Sequence, residues 1–254
     1  MNYLDFSGQV ILVTRSTGNT GKSIASLFAE QGATLIVNSS SDNEIAETLH
    51  EFSEKGWRAG GIKADVKNWE EVKAMAEKID NEFGRLDVVI NNSGAVIRDN
   101  LDDLDDDAWM EAFRMNVLGA VHTTKAVLPL MKRQNKGCII NVAMTGLMVK
   151  RQNDGEFLSS RVNMRAVLGF SMAEAEVAMK FGVRINAIVS SCVQGETGQE
   201  YAKMIDEKNF FVLQRFCRPE EVASVCLFLA SPLASFINRE VISLDSIAQP
   251  DLHF

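Results

Sequence analysis

Tyrosine, histidine and cysteine are all scarce in this chain of 254 residues, and each scarcity excludes something. The four cysteines, Cys138, Cys192, Cys217 and Cys226, are scattered. No pair has metal-ligand spacing, and they are too few for a disulfide framework in a chain this long. They read as idle or buried thiols in a reducing cytoplasm, which is where the protein is expected. The three histidines fall on helices (His50, His122) or in the tail (His253) and suggest no catalytic pair. Only two tyrosines occur, Tyr3 and Tyr201. No uncharged apolar run is long enough for a membrane-crossing helix. Met1-Asn2-Tyr3-Leu4-Asp5 has no basic stretch leading into an apolar one, so no secretory signal is expected. Positive charge is outweighed: 26 Lys and Arg face 34 Asp and Glu, a net −8. That balance argues against nucleic acid or an anionic membrane as the partner.

What is present is a core: 46% of the residues are hydrophobic. Apolar, β-branched runs predict strands at Gln9–Thr14, Ala33–Asn38, Arg58–Ala64, Leu86–Asn91, Cys138–Val142, Val183–Val189 and Glu240–Leu244. Between them the pattern predicts helices. One ends near Gln31, and others cover Asp42–Lys55, Asn68–Phe83, about Leu104–Lys132, about Glu156–Phe181 and Pro219–Ala230. Ser190–Phe211 is poorly periodic, with room for a short helix. This alternation predicts a Rossmann-type α/β fold, a doubly wound seven-stranded parallel sheet with helices on both faces. No linker or repeat interrupts it, so residues 1–254 are expected to form one domain. The acidic stretch Asp99, Asp102, Asp103, Asp105, Asp106 and Asp107 reads as carboxylates complementing the start of a long helix, with no metal site expected.

Several pieces, in order and at matching spacing, resemble short-chain dehydrogenases/reductases over nearly the whole chain. They are Ala64-Asp65-Val66, Asn91-Asn92-Ser93-Gly94, Met115-Asn116-Val117, Arg184-Ile185-Asn186-Ala187-Ile188, Arg218-Pro219-Glu220-Glu221-Val222-Ala223 and Leu229-Ala230-Ser231. The family uses a nicotinamide cofactor and a Ser-Tyr-Lys set assisted by an Asn. The resemblance therefore implies that Asp65 meets adenine, that Asn92 belongs to the cofactor site, and that Asn116 is the assisting asparagine.

Other positions depart from the pattern. The family's Thr-Gly-x-x-x-Gly-x-Gly turn aligns with Thr14-Arg15-Ser16-Thr17-Gly18-Asn19-Thr20-Gly21. Thr14 and Gly21 are retained, while Arg15 and Asn19 replace the first two glycines. A guanidinium at position 15 either pairs with phosphate or fills its space, and Asn19 is a residue that tolerates positive φ. Steric blocking or a rebuilt turn is the preferred reading, so no NAD(P) binding or only weak binding is expected. At the end of the second strand, Asn38-Ser39-Ser40-Ser41 offers neither an acid for ribose hydroxyls nor a base for a 2′-phosphate. The catalytic serine, tyrosine and lysine positions hold Met144, Phe157 and Arg161. Phe157 has no proton to pass, and Met144 has no strong donor. Tyr201 in the loop after the sixth strand and Thr145 are candidate substitutes. Asp154 and Glu156 flank Phe157, and read as the solvated entry to a helix or as acids for a different reaction.

No competent catalytic set is therefore expected. The favoured expectation is a non-catalytic subunit of a hetero-oligomeric NAD(P)-dependent dehydrogenase, paired with an active paralogous chain. Pairing would use the helices at about 104–132 and 157–181 and the C-terminal tail. In this the chain is similar to the defective partner in heteromeric hydroxyacyl-CoA dehydrogenases, such as that of the anaerobic toluene (benzylsuccinyl-CoA) pathway. An enzyme of altered chemistry (a cyclase or lyase) and a ligand sensor are the alternatives.

Overall fold

The structure is a computed structural model that describes residues 3–92, 94, 97, 99–144, 157–190, 192–195 and 212–244. Seven strands form one sheet: β1 (Val10–Val13), β2 (Thr34–Ser39), β3 (Ala59–Lys63), β4 (Val88–Asn91), β5 (Gly137–Met144), β6 (Val183–Ser190) and β7 (Val241–Leu244). Their order is β3-β2-β1-β4-β5-β6-β7, and every pairing is parallel. The expected doubly wound parallel sheet is present. β5 runs longer than its apolar core suggests because each of its residues pairs with β6, from Gly137 opposite Val183 to Met144 opposite Ser190.

Side chains alternate across a strand, so neighbours in β1 serve different cores. Ile11 and Val13 pack with Phe28 of α1 (Asn19–Glu30), Phe52 of α2 (Asp42–Glu54) and Leu227 of the last helix, Pro219–Ala230. Val10 and Leu12 pack on the other face with Met75 of α3 (Trp69–Phe83), Met131 of the helix Gly119–Gln134 and Ala175 of the helix Leu158–Ala178. All four β1 residues are buried, which is why the strand reads as a continuous apolar run.

The helix expected over about 104–132 is interrupted. It consists of α4 (Asp106–Phe113), a π turn at Arg114–Leu118 and α5 (Gly119–Gln134). Asp105 caps α4 by accepting the Ala108 amide at 2.8 Å, and Asp106 and Asp107 occupy its first turn. These carboxylates thus complement a helix start. Among the described residues the remaining α-helices are α6 (Leu158–Ala178) and α7 (Pro219–Ala230), the latter with Pro219 at its first position. Among the described residues no helix is long and apolar enough to cross a membrane.

The chain runs outward from β1 to β3, then returns to place β4 on β1's other side. This reversal opens a crevice at the carboxyl ends of β1 and β4, where sheets of this kind take their ligands.

Candidate active site

The turn after β1 is tied to the end of β4. Thr14 donates its amide to the Ile90 carbonyl at 3.0 Å, and its Oγ1 accepts the Asn92 amide at 2.9 Å. Arg15 adopts the left-handed region at φ 48°. A glycine enters that region freely, whereas other residues pay for it. The backbone bend of the family's first glycine thus survives under a different side chain. Asn19, by contrast, has no positive φ; it is the first residue of α1. The positive φ that Asn19 would tolerate falls instead at Arg15.

Both replacement side chains reach neighbouring loops. The Arg15 guanidinium donates to the Gly94 carbonyl beyond β4. Asn19 Nδ2 donates to the Gln194 carbonyl beyond β6 at 2.5 Å. Gly21 is packed closely: a Cβ there would lie 2.2 Å from the Arg15 carbonyl oxygen and 2.7 Å from Asn92 Nδ2. Above this cradle α1 has Gly18 at its N-cap position, with no side-chain cap and no acid in its first turn. Such a helix start suits a phosphate through its amides and the positive end of its dipole. The exposed Arg15 guanidinium is held by a neutral carbonyl, and a phosphate is a stronger partner for it. The residues present therefore fit a dinucleotide pyrophosphate. The expectation that Arg15 and Asn19 leave no NAD(P) binding, or only weak binding, finds no support in this geometry.

The end of β2 is not without an acid. Glu44, on the first turn of α2, turns its carboxylate back toward the strand. Its Oε2 accepts Ser39 Oγ at 2.6 Å and Thr17 Oγ1 at 2.9 Å. These two hydroxyls hold the Glu44 carboxyl below the usual range, Ser39 more than Thr17. Ser41-Asp42-Asn43-Glu44 has the spacing of a capping box, in which the glutamate would reach the Ser41 amide. Here Ser39 Oγ takes that amide at 3.2 Å, and Glu44 serves elsewhere. Nearby, Asn38 Nδ2 donates to the Ile62 and Ala64 carbonyls at 3.2 and 3.0 Å, which brings Asp65 beside the end of β2.

The far side of the crevice gathers the family's catalytic positions. Asn116 lies in the π turn, a feature frequent at functional sites. Its Oδ1 sits 3.5 Å from where a Cβ of Gly94 would be. Phe157 is buried in the left-handed region at φ 64° and forms the N-cap position of α6. Arg161 follows one turn later on the same face, its amide donating to the Phe157 carbonyl at 3.0 Å. Its Nε is buried with no hydrogen-bond partner among the described residues, a donor that a bound ligand would satisfy. Met144 closes β5, and its side chain lies outside the described residues, as do Thr145, Asp154, Glu156 and Tyr201.

Two sets of bonds fix α6 against the crevice. Asp99, in the loop beyond β4, accepts the Ser159 amide on both carboxylate oxygens at 3.2 and 3.1 Å. Beneath the site, Asn91 Nδ2 donates to Asn141 Oδ1 at 2.7 Å, and Asn141 Nδ2 donates to Ser171 Oγ at 2.7 Å. This ladder joins β4, β5 and α6 through fully buried polar groups, which are costly unless paired in this way.

Residues 17–246 match the family of enoyl-(acyl carrier protein) reductases. The chain is 30% identical to the 3beta-hydroxysteroid dehydrogenase 2 of Eggerthella lenta, over 94% of this chain and 94% of that one. It is 27% identical to the 3-oxoacyl-[acyl-carrier-protein] reductase FabG of Thermotoga maritima, over 94% of this chain and 96% of that one. A gluconate 5-dehydrogenase from Burkholderia cenocepacia, solved in complex with NADP and tartrate, superposes with a TM-score of 0.88. It is 22% identical and covers 96% of each chain. These relatives are named as dehydrogenases and reductases in their own right. They overturn the expectation of a non-catalytic subunit, and with it the cyclase, lyase and sensor alternatives. The physical reason lies in what the expectation weighed. It weighed the loss of two glycines together with the replacements at Met144, Phe157 and Arg161, whereas the backbone bend at Arg15 and the Gly21 cradle persist.

Proposed function

Since the chain belongs to the short-chain dehydrogenase/reductase family, we propose that it is a working oxidoreductase that binds a nicotinamide dinucleotide and interconverts an alcohol and a carbonyl compound. One observation carries this reading. At the switch point of the sheet, α1 starts uncapped and without acids above Gly21, which has no room for a side chain. The nicotinamide, when bound, exchanges a hydride with the substrate carbon. The chain's own residues do the rest. Thr14 and Asn92 hold the turn to β4, Gly21 lets the backbone approach, and the α1 N-terminus with Arg15 takes the pyrophosphate. Arg161 Nε offers a donor to a cofactor or substrate hydroxyl. Phe157 passes no proton, so in this reading Asn116 and the Arg161 guanidinium orient the reacting oxygen and solvent supplies the proton. Arg161 itself stays charged and does not shuttle.

The test is absorbance at the reduced-nicotinamide band, with purified chain, NADH or NADPH, and a panel of ketones and 3-oxoacyl thioesters, followed by the matching alcohols with oxidised cofactor. Turnover on at least one carbonyl–alcohol pair is expected. In the same assay Phe157→Tyr is expected to raise the rate, by up to about 10²–10⁴-fold if proton transfer limits it. Absence of both turnover and cofactor binding would overturn the proposal.

A further inference from the structure

We infer that Glu44 makes this chain prefer NAD(H) over NADP(H), its carboxylate accepting the hydroxyls of the adenosine ribose. This rests on the nicotinamide reading above. With the pyrophosphate on the α1 N-terminus, a dinucleotide lays its adenosine half toward the carboxyl end of β2, where a carboxylate meets the ribose. The strand itself supplies none: it ends Asn38-Ser39, and Ser40 and Ser41 follow. Glu44 arrives instead from α2.

Its placement is specific. Ser39 is the last residue of β2, and Thr17 belongs to the phosphate turn. Glu44 Oε2 accepts from both, at 2.6 and 2.9 Å. The carboxylate is thereby fixed between the two elements that would flank the ribose. It is also exposed, so a ligand can reach it. An ionised carboxylate only accepts hydrogen bonds, at about four lone-pair sites, of which these hydroxyls occupy two. Ribose hydroxyls donate to such a group, whereas a 2′-phosphate brings like charge against it. Among the described residues two cations lie in the neighbourhood, and each has a partner elsewhere once the dinucleotide binds. Lys63, at the end of β3, pairs with Asp42 at 2.8 Å, and Arg15 is the cation assigned above to the pyrophosphate.

Calorimetric titration of the full chain with NADH and NADPH, as wild type and as Glu44→Gln, tests the assignment. Glutamine keeps the size of the side chain, and its carbonyl still accepts from Ser39 and Thr17, so thermal melting should change little. The wild type is expected to bind NADH about ten- to a hundredfold more tightly than NADPH, and the variant to lose most of that ratio. Should the Gln variant melt early, Glu44→Ser removes the charge with a smaller group and the same readout. Wild-type preference for NADPH, or a ratio unchanged by the substitution, overturns this assignment alone. Binding of neither dinucleotide overturns the nicotinamide reading and the assignment with it.

Discussion

Two helices, α1 and α6, follow central strands and present their N-termini to the same edge of the sheet, yet they treat them in opposite ways. Neither has a side-chain cap at its N-cap residue, and neither has an acid in its first turn. Both starts look ready for an anion. At α6 the position is already filled: Asp99 accepts the Ser159 amide on both oxygens, and its carbonyl accepts the Leu158 amide at 3.4 Å. At α1 the start is left open instead: Gly18 has room beside it, and Gly21 lets the Arg15 bend pack closely against the helix. A helix start without its own acid is thus not by itself an anion site. The decisive question is whether a distant residue supplies the acid, as Asp99 does from 60 residues away along the chain.

The contrast is most sharply broken at Gly21. A Gly21→Ala side chain would meet the Arg15 backbone at 2.2 Å, and backbone cannot step aside as a flexible side chain would. Loss of NADH affinity by about ten- to a hundredfold is expected, together with a lower melting temperature. Unchanged affinity in a calorimetric titration would mean that the α1 start does not receive the cofactor.

Asp99→Ala strips α6 of its borrowed acid. Stability should fall by about 1–2 kcal/mol, the range for losing a helix cap, read as a shift in the urea midpoint. NADH affinity should barely move, because α1 is untouched. A drop in affinity as large as that for Gly21→Ala would show the two starts to be one site.

The smallest effect concerns a third start, that of α7, where Glu221 accepts the Arg218 amide at 2.8 Å and both arms of the Arg215 guanidinium at 2.7 and 2.8 Å. The Arg215 fork above all, then the Arg218 amide, lower the Glu221 carboxyl from its ordinary 4.5 to about 2. A depressed pKa gives stability that is complete above the unfolded value and disappears as pH falls toward the folded one. The melting-temperature gap between wild type and Glu221→Gln should therefore be full at neutral pH, narrow below about 4.5 and close near 2. The pair is partly exposed, so the gap is modest and shrinks in salt. A gap that widens in acid would contradict the assignment.

The sheet was legible because its strands are buried on both faces and therefore apolar without alternation, as in Val10–Val13. Helix ends were legible where a capping residue stood beside them: Asn68 accepts the Glu70 amide and begins α3 as expected. The site was less legible because its parts are joined by distant side chains. Glu44 belongs by sequence to a helix start, and only the occupation of the Ser41 amide by Ser39 releases it toward Thr17. Asp99 reads as one of six acids in a stretch, and nothing local marks it as the partner of α6. The glycine pattern misled for a related reason. It records side chains, whereas the turn depends on backbone angles that Arg15 can adopt at a cost.

The π turn at Arg114–Leu118 also changes how the chain can be edited. An α-helix advances about 100° per residue, so removing one residue from the body of α5 would rotate every later side chain out of the stripe formed by Ala120, Thr124, Val127 and Met131. A π turn already carries one residue beyond the regular winding. Deleting a residue there would restore ordinary winding and leave both α4 and α5 facing their cores. Asn116 alone would lose its aim on the crevice. The turn is thus a slack link in chain length: the scaffold tolerates its shortening, and the site does not.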